Sequence, residues 1–98
     1  MRFPKVNSSQ GKVLYALALY SYQTASEINE LTFYFSAQAR ISELYTKFSI
    51  PILKRKINFI KPSGEIVQVM SYALDTKLID PKKLANFIKS AQAIYGVL

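Results

Sequence analysis

The stretch TASEINELTFYFSAQARISELYTKF, residues 24–48, predicts two short helices joined by a tight connection. Thr24 and Glu27 have the spacing of a capping box, in which a hydroxyl and a carboxylate satisfy free amides at a helix start. The β-branched and aromatic run Thr32–Phe35 disfavours a longer first helix, and Ser36 offers a new N-cap. Because proline pushes the preceding residue into an extended conformation, Pro51 limits the second helix.

The second helix of this pair, expected over residues 36–48, has a narrow apolar stripe. Its members recur at intervals of four, three and four: Ala37, Ile41, Leu44 and Phe48. The opposite side carries small polar residues with hydrogen-bonding and cationic side chains at its margins. A helix that enters the major groove of DNA needs little bulk at its closest approach and donors at its edges. The candidate DNA-contacting residues of this helix are therefore Ser36, Gln38, Arg40, Ser42, Thr46 and Lys47.

Two roles remain open for Arg40, which lies beside the apolar stripe. Its guanidinium contacts a phosphate or a guanine edge, or it braces Glu27 or Glu30 on the preceding helix. Gln38, near the helix N-terminus, is better placed to read bases. Ser36 is a candidate for phosphate contact unless its side chain is occupied as a cap.

The segments before and within the helix pair are expected to support it. Residues 9–22 are apolar nearly all round, which predicts a helix buried on more than one side. Phe33, Tyr34 and Phe35 are expected to plug the core, with stacking on single-stranded bases as the alternative. Residues 1–10 are expected to form a flexible basic arm.

A β-hairpin is predicted after Pro51, since two extended segments, 53–61 and 65–74, flank a Pro-Ser-Gly turn signal. Its first strand carries a run of cations, and alternation sends the middle one to the opposite face from its neighbours. Edge protection explains one or two such lysines. Three consecutive cations directly after the helix pair predict contact with phosphates. The candidate residues are Lys54, Arg55, Lys56 and, near the turn, Lys61.

The C-terminal residues 80–98 are predicted to form an amphipathic helix that begins at Asp80-Pro81. Its apolar stripe comprises Leu84, Phe87, Ile88, Ala91 and Tyr95. A stripe this regular has to be covered. It therefore packs on the preceding domain, residues 11–79, or pairs with a second subunit in a homodimer.

Charge and composition narrow the class of partner. The 98 residues contain 13 Lys+Arg and 6 Asp+Glu, a net charge of +7, which favours an anionic partner such as nucleic acid, with solubility alone as the alternative. With no His, no Cys and no Gly-rich phosphate loop, the sequence predicts no enzyme activity, metal, cofactor or small-molecule substrate. No apolar run reaches the roughly 18 residues of a membrane span, and no secretory signal is evident. A cytoplasmic location is expected.

The residues of the helix pair and the hairpin carry a family resemblance. The run Ala39–Leu44, the link Ile50–Ile52 and the triplet Tyr72–Leu74 resemble small winged helix-turn-helix DNA-binding proteins of bacteriophages and prophages. In that group an "ARIxxL" segment opens the recognition helix, an "IPI" link follows, and the wing closes on "YxL". The similarity spans residues 11–74. The chain departs from the pattern where a basic residue and a glycine are common, with Tyr45 and Phe48-Ser49 in their place.

The resemblance implies a mainly α fold with a β-hairpin, namely three helices, a two-stranded wing and an extra C-terminal helix. It also implies double-stranded DNA binding, by a phage or prophage transcriptional regulator or an excisionase-like architectural factor in the cytoplasm or nucleoid of a bacterial host. The recognition helix 36–48 would lie in the major groove and the wing 53–65 on the backbone or in the minor groove. The alternative is a winged-helix protein–protein adaptor that does not bind DNA.

Overall fold

Four helices and a three-stranded antiparallel sheet make up the computed structural model, within the residues that it describes, 1–34 and 36–98. The helices are α1 (Ser9–Leu19), α2 (Ala25–Thr32), α3 (Ala37–Thr46) and α4 (Pro81–Tyr95). The strands are β1 (Gln23–Thr24), β2 (Ile52–Ile60) and β3 (Ile66–Leu74), in the sheet order β1-β3-β2, and a 3-10 turn spans Thr76–Leu78. The prediction of helices combined with a β-hairpin is confirmed at this level.

The first helix is the centre of the core. Ser8 caps α1, since its side-chain oxygen accepts from the Gly11 amide at 3.0 Å. The run from Val13 to Leu17 is completely buried, which agrees with the prediction of burial on several sides. The prediction that this helix continues to Tyr22 was wrong. It ends at Leu19, because Tyr22 has φ 54° and the following β1 pairs with β3.

Side-chain caps define the starts of α2 and α3. The predicted capping box is present: Thr24 Oγ1 accepts from the Glu27 amide, and Glu27 Oε1 accepts from the Thr24 amide. The prediction that Ser36 caps α3 with its side chain was wrong, since among the described residues it makes no such hydrogen bond. Instead Asn29 Oδ1, on α2, accepts from the Ala37 amide at 2.9 Å. One amide side chain therefore joins the two helices.

The third helix is shorter than predicted. It ends at Thr46 rather than at Phe48, and the chain turns at Ser49, which has φ 55°. The Ile50 amide then donates to the Leu44 carbonyl at 3.0 Å. The apolar stripe is otherwise as predicted, with Ala37, Ile41 and Leu44 buried and Phe48 half-buried.

The aromatic run after α2 is not a simple core plug. Phe33 has φ 61° and is 84% exposed, which contradicts the prediction that it fills the core. Tyr34 is half-buried against the core, and Phe35 lies outside the described residues. Lys12 Nζ donates to the Thr32 carbonyl at 3.0 Å and lies 5.3 to 5.6 Å from three ring centroids, those of Phe33, Tyr34 and Tyr95. A cation and its aromatic neighbours thus close the C-terminus of α2.

The hairpin of β2 and β3 pairs in one continuous register, from Ile52 opposite Leu74 to Ile60 opposite Ile66. The observed strand ends lie within one residue of the predicted ones. At the base, Tyr72 and Leu74 are buried in the core, whereas the distal half is mostly exposed.

The C-terminal helix packs on its own domain. Asp80 Oδ1 accepts from the Lys82 amide at 2.9 Å, so the predicted cap is present. Phe87 and Ala91 are buried, and the rest of the predicted stripe packs around them. Burial raises the pKa of the Tyr95 phenol above its usual value of 10.0, with a smaller electrostatic contribution from Tyr34.

The N-terminal segment contacts the domain at several points. Pro4 is buried, the ring of Phe3 lies 5.5 Å from that of Phe87, and the Arg2 amide donates to the Phe48 carbonyl at 3.1 Å. Gly11 lies so close to this segment that a Cβ would stand 2.1 Å from the Lys5 carbonyl oxygen. The predicted flexibility of residues 1–10 in solution stays a prediction.

Replacing Asn29 with Ala removes the side-chain cap of α3. We expect the free energy of unfolding to fall by about 1 kcal/mol, the usual effect of losing an N-cap. Ser36→Ala is the matched control, and it should change stability by less than about 0.5 kcal/mol because this side chain makes no cap hydrogen bond. Urea unfolding of both variants measures this, and a larger loss for Ser36→Ala would contradict the assignment.

Candidate functional site

A cleft between α3 and β2 brings together residues that the sequence placed in separate elements. Gln38 and Ser42, from the exposed side of α3, line it together with Lys54 of β2. Tyr45 forms part of the same wall, and the buried Tyr72 forms the floor. The other lining residues are neutral, so no carboxylate within the cleft balances the charge of Lys54. The cleft thus combines hydrogen-bonding groups on a helix with one cation on a strand.

The remaining polar candidates of α3 are exposed but differ in what they contact. The Thr46 hydroxyl donates to the Ser42 carbonyl at 2.8 Å, within the same helix. Ser36 lies exposed at the start of the helix, where its side chain makes no cap hydrogen bond with the described residues. Both side chains retain oxygen lone pairs that can accept a hydrogen bond.

Glu43 binds the two cationic candidates of α3. Its carboxylate lies 2.5 Å from Arg40 Nε and 3.4 Å from Lys47 Nζ, and Gln10 of α1 donates to it at 3.3 Å. The Arg40 Nε is buried and has no well-aligned hydrogen bond within the described residues, so the contact is an ion pair. Arg40 does brace a carboxylate, but the partner is Glu43 and not Glu27 or Glu30, the two partners that the sequence suggested.

The three consecutive cations of β2 divide between the two faces of the hairpin, as alternation predicts. Lys54 and Lys56 stand opposite Tyr72 and Met70, and both are exposed. Arg55, on the other face, lies with its guanidinium carbon 3.9 Å from the centroid of the Tyr22 ring. This distance is that of a cation–π stack. Lys54 and Lys56 are thus left for an external anion, while Arg55 stacks on the chain itself.

Lys61 lies apart from the other cations, at the far end of the hairpin. Its Nζ is 3.5 Å from a carboxylate oxygen of Glu65 across the turn. The pair is largely exposed, so it contributes little to stability. Lys61 is therefore a predicted site residue that the fold does not bring near α3.

Sequence reasoning missed two features near the site. The role of Tyr22 depends on its positive φ and on β1, which is too short for a periodic signal. An open groove of about 750 Å³ between α2 and the hairpin was also missed. Its apolar lining includes Ile57, Phe59, Val69 and Met70. The sequence did contain a signal for this groove. Apolar residues continue along both strands of the hairpin, farther than the core can cover them.

Residues 1–34 and 36–98 contain no group of three His, Cys, Asp or Glu side chains close enough to hold a metal ion. None of the helices in those ranges combines the length and the apolar character needed to cross a bilayer.

The different roles of Arg55, which stacks on Tyr22, and of Lys54, which is exposed, can be tested on the protein without DNA. We expect Arg55→Gln to lower the free energy of unfolding by about 0.5 to 1 kcal/mol, because an exposed cation–π pair is worth that much. Lys54→Gln, one residue away in the same strand, should have an effect below about 0.5 kcal/mol. Urea unfolding compares the two variants, and equal effects would argue against the stack on Tyr22.

No family model, curated protein or solved structure matches this chain. Any functional assignment therefore depends on its own residues and their geometry.

Proposed function

We propose that the chain is a winged helix-turn-helix protein that binds double-stranded DNA. The order of elements supports this, since α2 and α3 form a capped helix pair and a protruding hairpin follows directly. A winged helix uses these parts as helix-turn-helix and wing. The resemblance of the residues around α3 and the hairpin to phage and prophage proteins supports the same assignment.

The observation that carries the proposal is the cleft in which Gln38 and Ser42 of α3 meet Lys54 of β2. Base-reading groups must stand close to phosphate-binding groups, because base edges and phosphates are near neighbours across a groove wall. An amide side chain such as that of Gln38 can bind adenine through two hydrogen bonds in the major groove. Lys54 and, two residues on, Lys56 bind the phosphates beside it.

The other cations have secondary roles in this proposal. Arg40 and Lys47 share Glu43, so a phosphate would have to compete with that carboxylate for them. In this proposal Arg55 holds the hairpin by stacking on Tyr22 and makes no phosphate contact, because it lies on the opposite face from Lys54 and Lys56. Most of the sequence-independent affinity then comes from the wing, while α3 selects the site.

The biological role that follows is that of a phage or prophage transcriptional regulator, or of an excisionase-like architectural factor. A homodimer reading two half-sites fits such a role. Its contact through α4 would have to use the outer side of that helix, because the inner stripe with Phe87 and Ala91 is buried in the domain.

Replacing Lys54 and Lys56 with Gln tests the wing directly. We expect weaker binding to every duplex, and a slope of log K against log[salt] that is shallower by about 0.9 for each phosphate that the variant no longer neutralises. A fluorescence-anisotropy titration of a duplex at several salt concentrations measures both quantities. Arg55→Gln removes the same kind of charge from the same strand and should leave the slope close to that of the parent. Equal slopes for the parent, the Lys54 and Lys56 variant and Arg55→Gln would show that the wing does not contact DNA.

A protein–protein adaptor is the second candidate, and the apolar groove between α2 and the hairpin favours it. Solvent-exposed apolar surface of this kind is typical of protein-binding sites. A gel-shift titration on random and genomic duplexes at two salt concentrations discriminates between the two functions. Retardation that falls steeply with salt supports DNA binding, whereas none at micromolar protein and low salt supports the adaptor.

A further inference from the structure

One face of the hairpin changes its chemistry in steps from the body of the molecule to the tip. On β2, alternate side chains share a face, and this one carries Lys54, Lys56, Asn58 and Ile60 in order. The paired residues on β3 continue the pattern, with Gln68 opposite Asn58 and Ile66 opposite Ile60. Cations are followed by two amides, and the amides by two isoleucines.

The isoleucine pair at the tip is an exposed apolar contact across the two strands. Ile60 is 66% exposed and Ile66 is 63% exposed, although they stand directly opposite each other. They lie next to the turn, and neither belongs to the core or to the side chains packed on it. Two neighbouring β-branched side chains outside the core contribute little to its stability and are available to contact a partner.

We propose that Ile60 and Ile66 form an apolar wedge that enters the minor groove of bound DNA and bends the duplex. This inference rests on the proposed DNA-binding function and specifies how the wing would use it. Apolar side chains inserted at a base step unstack it partly and bend the duplex toward the major groove.

The dimensions of the wing and of the groove favour bending. The two strands lie about 4.8 Å apart, and with side chains on both faces a ribbon is about 10 Å thick. The minor groove of B-DNA is only about 6 Å wide. A hairpin tip can reach the base steps only if the groove opens, and opening accompanies a bend of the duplex.

The charges around the wedge fit DNA. Lys54 and Lys56 on the same face are exposed and can bind the phosphates that border the groove. Asn58 and Gln68 come next, and their amides can reach the base edges, which offer acceptors at every A·T pair. The single carboxylate of the turn, on Glu65, lies beside Lys61, which reduces its repulsion of phosphate.

The binding of DNA and its bending can be measured separately on one protein. The probes are duplexes of about 30 base pairs, a length that permits a measurable bend, with a donor and an acceptor dye at their ends. One duplex is fully paired and the other carries a two-nucleotide bulge that bends it in advance. We expect saturating protein to raise energy transfer on the paired duplex. We also expect binding to the bulged duplex to be about tenfold tighter, because it has already been deformed.

The double variant Ile60→Ser, Ile66→Ser removes the wedge and keeps every charge. It should lose the rise in energy transfer and the preference for the bulged duplex, while its affinity for the paired duplex changes by less than about fivefold, since phosphate contacts dominate that affinity. Phe59→Ser, an exposed apolar residue on the opposite face of β2, should bend DNA like the parent. Ile60→Leu, Ile66→Leu should retain the bend.

The results that would overturn the wedge differ from those that would also overturn the proposed function. A parent protein that binds without bending, or a double variant that bends as well as the parent, overturns the wedge and leaves the proposed function intact. Failure of the parent to bind either duplex at low salt overturns both. If sedimentation shows that the parent self-associates and the double variant does not, the isoleucines contact a second copy of the chain and the wedge is wrong.

Discussion

The register between β2 and β3 determines which side chains of the hairpin face α3. Tyr72 lines the cleft beside α3, so its face of β3 points toward that helix. Lys54 stands directly opposite Tyr72 and is thereby placed at the cleft with Gln38 and Ser42. A slip of one residue would put Arg55 in its place and move Lys54 to the far side of the sheet. The pairing of Lys54 with Tyr72 thus positions the cation on which the proposed interface depends.

Three tyrosine hydroxyls join the terminal segments to the domain behind this surface. The hydroxyls of Tyr15 and Tyr20 donate to the carbonyls of Gly96 and Leu98, and that of Tyr95 donates to Val6. The first two bonds link the C-terminal end to α1 and to the residue that follows it, and the third links α4 to the N-terminal segment. The distal half of the hairpin lies outside the core, is mostly exposed and is therefore available for a partner.

Strong local signals in the sequence were sufficient to predict much of the fold. The capping box at Thr24, the stripe of α3 and the Asp80 cap are each encoded within a few residues, and all are present. The length of α1, the cap from Asn29 and the exposure of Phe33 were missed, because each depends on contacts between distant elements or on a positive φ. The candidate site follows the same rule. Alternation predicted the faces of Lys54 and Arg55, whereas the stack of Arg55 on Tyr22 joins separate elements and was missed. The pair of Arg40 with Glu43 is the exception, because its i,i+3 spacing on one helix is a local signal.

Backbone amide shifts during a titration with duplex DNA at low salt test the central claim most directly. Resonances of Gln38, Ser42, Lys54 and Lys56 should move together and saturate at one concentration, since these residues form one surface. The amide resonances of α4 should not shift, because that helix packs on the domain away from the proposed interface. Shifts confined to α2 and the apolar groove, or to α4, would contradict a DNA interface made of α3 and the wing.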